Sequence, residues 1–150
     1  MAIHPISSTY LDVQQARVSG ALPAAGAWDA TPTVMACPSF DYVTLYIKYD
    51  EDAQTAAGSV DIRIDVSPDS AGAVWHQGTA YSTGAVVAGA DTVSAFQREE
   101  ISYEPTGVAA EFWIFGPLHL GGTVERMRVA AQESGDVGAP GICEIEARFQ

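Results

Sequence analysis

Apolar and polar positions alternate most strictly between Ser59 and Ser67. Val60, Ile62, Ile64 and Val66 fall on one side, and Ser59, Asp61, Arg63, Asp65 and Ser67 on the other. A period of two with one apolar face predicts a strand packed on one side and wet on the other, the habit of antiparallel sheets. Tyr42 to Tyr49 alternates in the same way, with Val43, Leu45, Ile47 and Tyr49 on one face. Its β-branched and aromatic residues are those that strands favour. The run from Cys143 puts Cys143, Ile145 and Phe149 on one side. Asp50 to Gly58 reads as a solvated loop reversing the chain, and Ser67 to Gly72 as a tight turn built on Pro68, Asp69 and Gly72.

Further strands are expected over Ala80 to Val87, Val93 to Tyr103, Ala110 to Phe115, Val124 to Ala131 and Ile142 to Phe149, separated by Gly and Pro. The nearest approach to a helical pattern, Leu11 to Val18, is too weak to predict a helix. Many short strands at this spacing predict an all-β fold, an antiparallel sandwich or a barrel; the resemblance given below makes it an antiparallel β-sandwich of jelly-roll type. Its core is expected to hold Val43, Leu45, Ile47, Val60, Ile62, Ile64 and Val66. Residues 41–150 form the sandwich domain in this reading. Residues 1–40 lack either period and are rich in Gly, Pro and Ala, so they read as an extended N-terminal arm with a first strand region, or equally as an irregular first strand and loop of the same domain.

Two segments point toward assembly. Along Phe112-Trp113-Ile114-Phe115, both sides of a strand are apolar. Such a strand lies either in the middle of a sandwich or partly under another chain, because monomers rarely expose large apolar patches. The N-terminal third carries isolated anchors, Ile3, Ile6, Tyr10, Leu11, Leu22 and Trp28, which either reach a neighbouring subunit or cover the protein's own sandwich.

Charge narrows the partners. Nineteen acidic residues against seven basic ones leave a net charge of −12 over 150 residues. Nucleic acid and anionic membrane surfaces both require Lys/Arg footprints that this chain does not have to spare. The first residues show neither an early cation nor an apolar run, so no secretory signal is expected, and no apolar stretch approaches the ~20 residues that span a bilayer. Cys37 and Cys143 are then expected as free thiols, Cys143 as a small buried hydrophobe.

Chemistry is scarce. His4, His76 and His119 are single and scattered, with no metal-ligand spacing, so no metal is expected. No nucleophile motif and no phosphate-cradling loop occur, so neither catalytic residues nor a cofactor are expected and the chain reads as no enzyme. Asp50-Glu51-Asp52 lacks calcium-loop spacing and reads as a solvated loop, and Asp61 and Asp65 beside Arg63 as charge pairing on a wet face.

The phrase Val60-Asp61-Ile62-Arg63-Ile64-Asp65-Val66-Ser67-Pro68-Asp69, followed by Trp75, resembles a strand–turn–Trp phrase of discoidin-like jelly rolls and of small virion proteins of tailed bacteriophages. Here the turn glycine is delayed to Gly72. Ala27-Trp28-Asp29, Pro32 and the strand from Val43 to Tyr49 are similar to the phage proteins as well. The resemblance implies a virion structural protein, a head decoration (cement) protein bound to the outside of a major capsid protein lattice. It implies a homo-oligomer, a trimer by preference, assembled in the host bacterial cytoplasm; of the N-terminal anchors, Ile3, Ile6, Tyr10, Leu11 and Trp28 are the expected assembly contacts. At −12, packaged DNA would repel the chain, which agrees with an exterior position. The discoidin side implies the alternative, a carbohydrate- or receptor-binding module of a tail or fibre, with Trp75, His76 and Tyr81 as its ligand-binding rim.

Overall fold

The computed structural model describes residues 12–23, 27–51, 59–77, 100–105, 110–134 and 140–150. They form nine strands: β1 (Asp12–Ala21), β2 (Val34–Ala36), β3 (Tyr42–Asp50), β4 (Ser59–Ser67), β5 (His76–Gln77), β6 (Glu100–Tyr103), β7 (Glu111–His119), β8 (Arg126–Ser134) and β9 (Ile142–Phe149). There is no helix among the described residues.

The strands make two antiparallel sheets. Sheet A runs β1-β9-β3-β7, and sheet B runs β2-β8-β4-β5 with β6 also on β4. The pairing is nested: β1 with β9, β2 with β8, β3 with β7, and β4 with β5 and β6. A long antiparallel hairpin folded over on itself gives this order, and the added pairs β3·β9 and β4·β8 close it. It is a jelly-roll sandwich.

The core lies between the sheets. Sheet A turns Val43, Leu45, Ile47, Tyr49, Cys143, Ile145, Ala147 and Phe149 inward, and sheet B opposes them with Val60, Ile62, Ile64, Met127, Val129, Ala131 and Met35. Burying each large apolar side chain contributes about 1.5–3 kcal/mol. Val66 is only partly buried against this core. The alternation of β3, β4 and β9 is therefore what makes each of them half of a layer.

β5 and β6 are two short pieces on one flank of β4. Gln77 lies opposite Asp65 and Glu100 opposite Arg63, although 78–99 separate them in the chain. The strand expected over Ala80 to Val87 and the first part of Val93 to Tyr103 lie outside the described residues.

Of the two readings of the N-terminal third, residues from Asp12 onward follow the irregular first strand and loop of the same domain, not the protruding arm. They belong to the sandwich, β1 paired along β9 and β2 along β8, with Ala16 and Leu22 buried in the common core. No alternation shows because β1 shifts register between Gln15 and Arg17 and again between Arg17 and Gly20. Each bulge moves the side-chain phase by one residue and erases the period of two.

Candidate assembly surface

The outer face of sheet A follows from register. Lys48 stands between Glu144 on β9 and Phe112 on β7, and Tyr46 between Glu146 and Ile114. Arg148, opposite Thr44, lays its guanidinium 4.3 Å from the centre of the Tyr46 ring and donates to Glu146 Oε1 at 2.7 Å. Beside these paired charges, Phe112 is 74% exposed and Ile114 67%. A groove of about 380 Å³ runs between the two sets, lined by Tyr46, Lys48, Phe112, Ile114, Glu146 and Arg148 among others.

The other side of β7 is packed. The Trp113 ring stacks on Tyr49 at 5.8 Å between centres and meets Tyr103 of sheet B, while Phe115 packs against the core. Of the two settings open to a strand apolar on both sides, this is not the central one. Among the described strands, β7 ends its sheet.

The regular pairing of β7 with β3 is interrupted at Gly116, where the register shifts before it resumes at Leu118. The Gly116 φ of 128° is open to glycine, and a Cβ there would meet the Val43 carbonyl oxygen at 2.8 Å. No formal charge occurs from Phe112 to Leu118.

The opposite edge of sheet A is built differently. At the β1 bulges, Arg17 turns its guanidinium onto the carbonyls of Gly20 (2.9 Å), Ala21 (2.9 Å) and Cys143 (2.5 Å), and bridges to Asp29 at 3.0 and 3.2 Å. Asp29 in turn accepts from the Ala131 N–H at 3.0 Å and donates its own N–H to the Ala131 carbonyl. Gln14 Nε2 reaches the Ala36 carbonyl of β2 at 2.7 Å. Side chains thus lace the β1 edge to sheet B.

Sheet B carries a polar ladder on its outer face. Asp65, 1% exposed, accepts from Arg63 Nε and Arg128 Nε, each at 2.9 Å. Arg63 lies 4.8 Å from the centre of the Trp28 ring and Arg128 4.3 Å from that of Trp75. Two guanidiniums and two indoles cover the carboxylate that the alternation had placed in water, so Asp65 is buried on the outer face. Asp61 stays partly exposed and accepts from Ser59, Ser102 and Gln132 side chains. The Ser67–Gly72 turn forms as its residues suggest, the Asp69 carboxylate accepting from the N–H groups of Ala71 and Ala73, which lowers its pKa.

One carboxylate pair escaped sequence reading. Tyr49 Oη lies 3.0 Å from Glu51 Oε1 and 3.1 Å from Glu133 Oε2, and the Gly141 N–H donates to Glu133 Oε2 at 2.8 Å. Glu51 is buried, contrary to the solvated loop expected at Asp50-Glu51-Asp52. Eighty-two positions separate the two glutamates, so no spacing signals the pair. Burial, then the Glu133 and Glu51 charges, push the Tyr49 hydroxyl pKa far up. Tyr49, Glu51 and Glu133 are all buried.

The sequence-predicted residues fall in different places. Trp28 and Trp75, assigned to separate roles, share the sheet B ladder. His76 is exposed, next to a Trp75 ring with one face taken by Arg128. Ile3, Ile6, Tyr10, Leu11 and Tyr81 lie outside the described residues. Phe112 and Ile114, the most exposed large apolar side chains with Val18, were visible in sequence only as one half of an ambiguous strand. Cys37 and Cys143 are buried free thiols, their pKa pushed up to about 12, chiefly by burial. Among the described residues no three His, Cys, Asp or Glu side chains converge as a metal site, and no helix is long and apolar enough to cross a membrane. Comparison with protein-family models, with curated proteins and with solved structures finds no match to this chain.

Proposed function

We propose that this jelly roll is a non-enzymatic structural protein of a tailed-phage virion, a decoration protein that binds the outside of the capsid lattice as a homo-oligomer. The observation that supports it best is the outer face of sheet A. It offers Phe112 and Ile114 to a protein partner, on an edge strand without charge between Phe112 and Leu118. Large apolar side chains exposed together mark protein–protein surfaces more often than catalytic ones. The fold itself hosts capsid and lectin domains alike, so it supports the reading without choosing it. The strand–turn–Trp phrase resembling phage virion proteins supports the virion reading, and a charge of −12 favours a position away from packaged DNA.

Particle retention tests the reading. Purified protein added to capsids of the parent phage, stripped of their decoration, is expected to co-sediment saturably and to raise the temperature at which the shells open, by mass action on the assembled state. A chain lacking residues 1–11 keeps β1 whole while removing Ile3, Ile6, Tyr10 and Leu11, and is expected to be retained less. A full-length protein that ignores such capsids refutes the proposal.

A further inference from the structure

We infer that the exposed half of β7 is a self-pairing seam, at which two copies of this chain join antiparallel and extend sheet A across a two-fold axis. The inference deepens the proposed function by naming the partner of its apolar face, and rests on that reading only for its setting.

The first ground is the unguarded edge. A strand ending a sheet presents unpaired N–H and C=O groups, and proteins blunt such edges with charges, prolines, bulges or very short strands. β2, β5 and β6 are short, four residues at most. β1 has two bulges and the inward-turned Arg17. β7 carries such devices at both ends, Glu111 at its start and a register shift with Pro117 after Phe115, and between Phe112 and Phe115 it has none.

Charge supplies the second ground, and it selects the occupant. At −12, two copies repel one another over most orientations. Across β7 they meet through Phe112-Trp113-Ile114-Phe115, which is uncharged, with the two Glu111 residues held apart at opposite ends of the pairing, and the face behind it is balanced, Lys48 and Arg148 against Glu144 and Glu146. This is where a second copy approaches with least electrostatic cost. A strongly basic partner finds no excess of negative charge here.

Geometry sets the register. Pro117 has no N–H to give a ladder, and Gly116 leaves the extended region, so pairing is confined to 111–115. Centred on Trp113, two antiparallel copies put Phe112 of each beside Ile114 of the other on the outer face, two aromatic–β-branched cross-strand pairs of the stabilising kind. Five residues a side is a small contact, so the pairing is reversible in solution and gains from the high local concentration on a lattice.

Sedimentation equilibrium of the full-length protein over a wide concentration range tests the seam. The expected result is a monomer–dimer equilibrium, with Ile114→Lys raising the dissociation constant about tenfold or more, since it sets a cation against the seam twice. Val18→Lys, at the β1 edge, is expected to leave it unchanged. Both side chains are exposed, and an unchanged far-UV spectrum confirms that each variant folds. A strictly monomeric chain, a trimer indifferent to Ile114→Lys, or association lost in Val18→Lys overturns the seam. Capsid retention reads the decoration role separately: a dimer that ignores capsids refutes that role alone, and a retained monomer refutes the seam alone.

Discussion

The two edges of sheet A face the same physical problem and solve it differently. At β1 the chain spends an arginine, two bulges and a buried-side aspartate on closing the edge. Arg17 satisfies carbonyls that the bulges free and ties Asp29 to β8 of the other sheet. At β7 the strand is uncharged from Phe112 to Phe115, with Phe112 and Ile114 outward. Guarding costs this protein little, since β1 shows how it is done. Among the described strands the two edges thus differ from Phe112 to Phe115, and that stretch is the one the proposed seam uses.

The largest expected effect comes from breaking the guarded edge. Arg17→Ala removes the partner of Asp29 and leaves the Gly20, Ala21 and Cys143 carbonyls without their donor. Both partners are mostly buried, so a loss of about 3–5 kcal/mol is expected, the range for deleting one member of such a pair. Urea denaturation measures it. A loss under about 1 kcal/mol would place the clamp among ordinary surface ion pairs.

The boundary of the unguarded edge comes next. Gly116→Ala forces a Cβ against the Val43 carbonyl at a φ of 128°, and a loss of about 1–3 kcal/mol is expected from the steric cost. The midpoint of thermal unfolding checks it, and no loss would mean that the irregularity inside β7 can shift to make room for a side chain.

Thiol chemistry gives a reporter for the first edge. Cys143 lies behind β1, opposite Gly20, and its pKa stands at about 12 against an ordinary 9.0, mainly through burial. Because the folded pKa is the higher one, the folded chain holds this proton more tightly. The stability so contributed is complete below about pH 9 and is lost as pH rises toward about 12. At pH 8 native Cys143 is expected to resist thiol reagents, and Arg17→Ala to speed its labelling by loosening β1, with Cys37 of the same protein as the control. Equal acceleration at both thiols would show global unfolding rather than an opened edge.

How much of this was legible in the sequence depends on who covers a residue. β3, β4 and β9 were readable because a strand with one neighbour layer obeys a period of two. Their inward residues, Val43, Leu45, Ile47, Val60, Ile62 and Ile64, are buried as their alternation implies. β1 was illegible because its bulges reset the phase, and its function as a strand rests on Arg17 and Asp29, twelve positions apart. Asp65 reads as wet by alternation, and the indole–guanidinium ladder from Trp28 to Trp75 buries it through contacts no local pattern encodes. Phe112 to Phe115 stood between, its pattern clear and its setting open, because sequence shows which way side chains point and not which strand ends a sheet.

The smallest expected effect sharpens the contrast most. Val18, 70% exposed at the β1 edge, and Ile114, 67% exposed at the β7 edge, are alike in size and exposure. Neither makes the core, so replacing either with lysine is expected to shift folding stability by no more than about 0.5 kcal/mol, the usual range for surface sites. On the folded monomer the two edges should be indistinguishable by this measure. Denaturation of both variants at low protein concentration checks it, where association contributes nothing. A large loss for Ile114→Lys alone would mean that Ile114 supports the monomer itself, and its exposure would then say nothing about a second chain. Equal, small losses leave the difference between the edges where the geometry puts it, in what each offers to a neighbour.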